Sequence, residues 1–362
     1  MSRIVKIGFV GLVLVIGALI ITSQSGVKSA LQEVDADHVF SLLDQSGAEF
    51  DSVKGKKAVA SAFAYLEKFG VTPYDFGHHL HLKGEGDRAV LWYQNVGIAT
   101  DDPQFFYGRA FQEWRLGDTE AALRDVNFLI QKDLSPLIKA RTYYLKGRMS
   151  LQSRFLKEAE SDFSIAHDSY KSIDGKFGGQ FLCLSLLARI AIYKKEYDRV
   201  EPILTEALEA RRKGIELGLK LPGMGSIYEI YGEMYFEKRE FKTSLEENLK
   251  SREAYLQNGR EASAEVVLIK IGLLEFINGN PKAAYDIATG VRERLINTPK
   301  TRLLAYNSVT LAMLSLCSNQ IDDFNLRKQT ALSWAKTDAG GQDLIDLMTF
   351  LEHEIPCPEL KE

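Results

Sequence analysis

Small residues recur along this chain at helical spacing, each flanked by large ones, and this recurrence restricts the possible folds more than any other feature. Between Ala140 and Ala166 (ARTYYLKGRMSLQSRFLKEAESDFSIA), Tyr143, Gly147 and Ser150 fall three or four residues apart, as do Ala159, Phe163 and Ala166. A helix turns once every 3.6 residues, so each set forms a stripe on one face. Gly147 and Ala159 let two antiparallel helices approach closely, while Tyr143 and Phe163 fill the space beside them. Phe106, Ala110, Gly117 and Ala122 repeat the arrangement upstream, and Leu184, Ala188, Tyr197, Leu204 and Ala207 repeat it downstream. Further copies are Tyr228, Gly232, Tyr235, Phe241 and Ser244; Leu268, Gly272, Gly279, Ala284 and Ala288; and a degenerate one at Ser308, Ala312, Ser315, Phe324 and Ala331. Gly77, Leu80, Ala89 and Tyr93 make a faint first copy.

This order resembles the tetratricopeptide repeat, a helical hairpin of about 34 residues that stacks into a solenoid, and GDTEAAL (Gly117–Leu123) is close to that family's inter-helix turn. The resemblance spans about three-quarters of the chain, and its strength lies in the repetition. It implies an all-α right-handed superhelix, an α-solenoid of such hairpins over residues 70–337. The copies are spaced about 33 to 44 residues apart, which implies lengthened helices or loops such as Leu217–Ser226. Residues 338–362 hold a terminal helix, Gln342–Ile355, whose Leu344, Leu347, Met348 and Leu351 suit it to cap the last hairpin. Upstream, 27–69 reads as a helical segment interrupted by a polar linker at Gln45–Lys57, with helix resuming at Ala58. Gly70, Pro73 and Gly77 read as breaks at the start of the repeats.

Residues 1–26 form a different element. Arg3 and Lys6 precede the apolar run Ile7–Ile21, about 22 Å long as a helix; counted from Ile4 to Thr22 it reaches roughly 28 Å. That length suits an uncleaved transmembrane anchor or a cleaved signal peptide, with the anchor favoured because Ser23–Gly26 lacks an Ala-x-Ala site. Either way the N-terminus stays cytoplasmic and the repeats lie on the periplasmic or extracytoplasmic side, membrane-bound or secreted.

Little in the sequence suggests catalysis. A net charge of −4 and a pI near 6.0 lack the basic footprint of a nucleic-acid binder. No phosphate loop, zincin helix or nucleophile elbow is present, so no enzyme, cofactor or metal is expected. His78, His79 and His81 cluster without a neighbouring acidic or thiol ligand. Cys183, Cys317 and Cys357 have no metal-binding spacing and are expected as free thiols rather than as a disulfide pair.

What remains is a surface. In the family it resembles, the first helix of each hairpin lines a groove. Transferring those positions gives Tyr107, Phe111, Trp114 and Arg115, then Arg141, Tyr144, Arg148 and Gln152. Ser185, Arg189, Ile192 and Tyr193 come next, then Glu229, Glu233, Phe236 and Glu237, and finally Ile269, Leu273 and Phe276. Tyr107, Trp114, Arg115, Arg141, Tyr144, Arg148, Arg189 and Tyr193 are the expected partner-binding set, because arginine and aromatic side chains dominate binding hot spots. An extended or helical segment of a partner protein or peptide, with an acidic portion, would suit the Arg148–Arg189 neighbourhood; the competing reading pairs these residues with acids on adjacent helices. The expected function is a membrane-tethered or exported interaction scaffold, with a repeat-type sensor or regulator arm as the alternative.

Overall fold

The computed structural model describes residues 31–44, 49–219, 221, 223–295, 301–335 and 341–357. Within them the chain is all-α, with seventeen α-helices, one short 3-10 helix and no strand. In order they are α1 (Ala36–Asp44), α2 (Val53–Glu67), α3 (Pro73–Leu82), α4 (Gly86–Thr100), α5 (Pro103–Leu116), α6 (Thr119–Ile130), α7 (Pro136–Gln152), α8 (Leu156–Lys171), α9 (Phe177–Tyr193), α10 (Val200–Glu216), α11 (Gly225–Glu237), α12 (Phe241–Gln257), α13 (Glu261–Ile277), α14 (Pro281–Leu295), α15 (Thr301–Cys317), α16 (Ile321–Ala335) and α17 (Gly341–Glu354). Residues 1–26, expected as anchor or signal, lie outside the described residues, and no described helix is long and apolar enough to cross a membrane.

One turn recurs through the series. Left-handed residues at Gly84, Gly117, Arg154, Lys195, Arg239, Gly279 and Asn319 end α3, α5, α7, α9, α11, α13 and α15. They stand 33, 37, 41, 44, 40 and 40 residues apart. After each, the next residue's N–H reaches back to a carbonyl five positions earlier: Glu85 to Leu80, Asp118 to Glu113, Phe155 to Ser150, Glu196 to Ala191, Glu240 to Tyr235, Asn280 to Glu275 and Gln320 to Ser315. This is the Schellman closure, which satisfies the last carbonyls of a helix and sends the chain back. Seven helix pairs therefore share one turn chemistry, the repeat expected from the sequence.

Two compact units divide these helices. Of the described residues, the first holds those up to 149 with 168–174, and the second those of 150–167 with those from 175 on. In the first, Trp92 and Tyr93 on α4 are buried among Phe76 and Leu80 of α3, Ala62 and Leu66 of α2, and Phe105. Gly77 does not break its helix. It sits mid-α3, where a Cβ would meet the Tyr93 ring at 2.4 Å, so the missing side chain makes room for the ring. Pro73 opens α3 at its first turn, where a lost N–H costs nothing, and Thr72 caps it by accepting from the Asp75 N–H at 3.1 Å. Similarly, α2 starts at Val53, inside the expected linker, because the Ser52 Oγ caps the Gly55 N–H at 3.0 Å.

In the second unit, small residues bring α11 and α12 close together. The Ser244 Oγ donates to the Gly232 carbonyl and the Ser251 Oγ to the Gly225 carbonyl, both at 2.7 Å. Phe181, Leu184, Ala188, Leu204 and Ala207 pack α9 on α10. Leu344, Met348 and Leu351 of α17 join Ala312, Phe324 and Ala331 in the last core. Against expectation, Cys317 and Cys357 form a disulfide, and only Cys183, buried in α9, is a free thiol. Spacing along the chain gave no hint of the bond because it joins the end of α15 to the tail after α17, which folding alone brings together.

Candidate functional site

The first unit carries a face on which guanidinium groups lie against aromatic rings. Arg141 of α7 is 5.9 Å from the centres of both the Tyr74 and Tyr107 rings. Two helical turns on, about 10 Å along the axis, Arg148 lies 4.9 Å over Trp114 and 6.0 Å from Tyr144, whose hydroxyl its Nη1 approaches at 3.4 Å. Arg115 is exposed and reaches the Phe111 ring at 5.9 Å. Among the described residues none of these three arginines has a carboxylate partner. Each charge is held in place by the negative face of a ring and left unneutralised.

The sequence places these groups together. Arg141, Tyr144 and Arg148 are spaced three, four and seven apart on α7, so they share a face. Tyr107, Phe111, Trp114 and Arg115 do the same on α5. Tyr107 is buried, and burial pushes its hydroxyl well above the ordinary tyrosine range, so it remains a neutral donor. Tyr74, which the sequence did not single out, closes the end of the face on α3. Burial raises its hydroxyl while the nearby Arg141 pulls it down. The Tyr93 hydroxyl donates to the Tyr74 carbonyl at 3.1 Å and fixes that residue's backbone.

Two other arginines of this unit are paired with carboxylates. Arg109 makes two hydrogen bonds to Asp125, the Nε bond at 2.6 Å, and Arg88 pairs with Asp37 and Glu85 at 2.8 Å. Acids neutralise Arg88 and Arg109, whereas among the described residues none pairs with Arg115, Arg141 or Arg148.

Arg189, in the second unit, belongs to the silenced kind. Its Nη2 lies 3.4 Å from Glu229, and its Nε lies 3.1 Å from the Glu233 Oε2, out of line for a hydrogen bond. Lys270 of α13 donates to Glu229 at 2.7 Å and Glu233 at 2.8 Å, and the Tyr255 hydroxyl donates to Glu229 at 2.9 Å. Two cations and two anions thus cancel. Burial alone would push Glu229 up, but Lys270 and then Arg189 outweigh it and hold the carboxyl at about 2. Lys270 was not anticipated; its only signal was a lone lysine in the otherwise apolar run of α13. Tyr193 is 40% exposed, with Arg154 5.1 Å over its ring. Phe276, transferred to the groove by resemblance, is fully buried in the last core.

A cavity of about 220 Å³ lies beside this cluster, lined by Ile192, Tyr193, Phe236, Leu273, Tyr306 and Leu347 together with Glu233 and Lys270. Among the described residues no group of three His, Cys, Asp or Glu side chains is placed to hold a metal, and the His78 and His81 rings stack 6.2 Å apart instead.

These elements define an all-α helical-repeat protein. No protein family and no curated protein matches the sequence. Among solved structures, the crystal structure of the APC/C hetero-tetramer Cut9–Hcn1 is similar at 11% identity with a TM-score of 0.25, over 90% of this chain and 88% of that one. The seven recurring left-handed turns define the helical repeat.

Proposed function

We propose that the protein is a non-enzymatic scaffold that holds an acidic segment of a partner protein against the Arg115–Arg141–Arg148 face of its first unit. The observation supporting this is the set of three guanidinium groups that lack carboxylates and lie against Phe111, Tyr74, Tyr107, Trp114 and Tyr144. Arginine offers a planar fork to a carboxylate, and a ring beneath it fixes that fork at low entropic cost. Display outside the cytoplasm, tethered or released, is part of the proposal. The apolar run near the N-terminus supports it, and so does the Cys317–Cys357 bond, since disulfides persist chiefly in oxidising compartments.

The test uses the full-length chain in detergent and a fluorescein-labelled octaglutamate peptide, with binding read by anisotropy. Replacing both Arg141 and Arg148 with Ala is expected to weaken binding at least tenfold, whereas Arg189→Ala leaves it within twofold. Equal losses from both variants, or none from either, would refute the assignment. Protease accessibility on intact cells tests the side of display.

A further inference from the structure

The last helix does more than close the end of the series. A cap needs contact only with the preceding pair, α15 and α16, and Leu344, Met348 and Leu351 provide it. The opposite side of α17 reaches two pairs further back. Phe350 meets Phe236 of α11 at 6.2 Å and Phe241 at 6.3 Å, and Glu354 accepts from Arg239 at 2.6 Å. The Arg239 guanidinium also covers the Phe350 ring at 5.3 Å. Leu347 therefore shares a cavity with side chains that the first helices of four successive pairs, α9, α11, α13 and α15, present, and it does not fill that space. The cavity of about 220 Å³ beside it is many times the roughly 10–15 Å³ that one water needs. Beyond α17, Cys357 is bonded to Cys317 on α15, so the helix is fastened at its far end.

We infer that α17 is an internal occupant of a helix-binding groove, and that the disulfide controls access to it. The groove's external ligand is an amphipathic helix of a partner protein. It matches the side of α17 that faces the groove, with apolar residues at the positions of Leu347 and Phe350 (i, i+3), and carries a bulkier residue at the first, where Leu347 leaves space. A dithiol reductant opens the gate: it gives two electrons and two protons to the Cys317–Cys357 bond, yielding two thiols, and is itself oxidised to a disulfide. The ion cluster of Arg189, Glu229, Glu233 and Lys270 beside the groove is neutral overall, so contact is apolar rather than charge-steered. This inference does not depend on the cationic face of the first unit.

The experiment uses the full chain, oxidised or reduced with dithiothreitol, and two fluorescein-labelled peptides with the sequence of residues 341–354, one native and one carrying Leu347→Trp. The reduced chain is expected to bind the native peptide and the oxidised chain at least tenfold more weakly. The Trp peptide should bind tighter than the native one by fivefold or more. Phe350→Asp in the chain loosens α17 from the groove without touching either cysteine, and should admit the peptide even when oxidised. Phe236→Ser should weaken every one of these complexes. Equal binding to oxidised and reduced chains overturns the gate. Absence of binding to reduced and Phe350→Asp chains alike overturns the groove, as does binding that Phe236→Ser leaves unchanged.

Discussion

Replacing Gly108 with Ala should destabilise the first unit, although the same change at Gly97 should stabilise it. Both glycines lie inside helices, α5 and α4, where alanine is favoured over glycine by about 0.8–1 kcal/mol. They differ in what the new methyl group meets. At Gly97 its nearest neighbours are 3.6 Å away, an ordinary contact. At Gly108 it would lie 2.7, 2.8 and 2.9 Å from three atoms of the Tyr93 ring. The ring has little freedom to move, because the Gly77 backbone also lies against it, so closely that a Cβ there would be 2.4 and 2.6 Å away, and the Tyr93 hydroxyl donates to the Tyr74 carbonyl. Overpacking a closed core costs about 1–3 kcal/mol, which exceeds the propensity gain. The propensity gain is common to both, so the two variants should differ by about 1–3 kcal/mol, or roughly 2–12 °C in the melting of a unit this size. Differential scanning calorimetry, with fluorescence of the buried Trp92 reporting on the unit, measures this. A Tyr93→Leu background should recover part of the Gly108→Ala loss. If Gly108→Ala were as stabilising as Gly97→Ala, Tyr93 would not be confined and the packing argument would fail.

The folded-state pKa of Glu229 is depressed, so its contribution is present above the unfolded value near 4.5 and disappears as pH falls toward 2; Glu229→Gln should flatten that limb of a stability–pH curve by at most roughly 3 kcal/mol. Cys357→Ser opens a loop of 40 residues and should cost about 3–4 kcal/mol, seen first as faster hydrogen exchange in α17. Lys195→Gly removes an L side chain from a left-handed position (φ 60°), a strain of about 1–2 kcal/mol partly offset by glycine's entropy, and should raise the urea midpoint slightly.

The hairpins were legible because a stripe of small residues has few uses in a helix other than close approach. Gly77 and Tyr93, Gly232 and Ser244, and Ala284 and Ala288 all occupy buried positions in the structure. The turns were only half legible: Gly84, Gly117 and Gly279 announce left-handed backbone, whereas Arg154, Lys195, Arg239 and Asn319 adopt it with no local signal. Charge at the candidate site was the least legible feature. Arg141, Arg148 and Arg189 look alike in the sequence. Whether an acid faces them depends on the next helix pair, and only Arg189 meets Glu229 and Glu233. The same holds for Cys317 and Cys357, whose meeting depends on where α17 comes to rest.

The bond between these two cysteines also changes how the chain end responds to load. A stacked series ordinarily frays from its last member, since that member has a neighbour on one side only. Here a pull on the C-terminus passes through sulfur into α15 before α17 feels it, so the final helix is enclosed within a covalent ring and cannot be peeled off first.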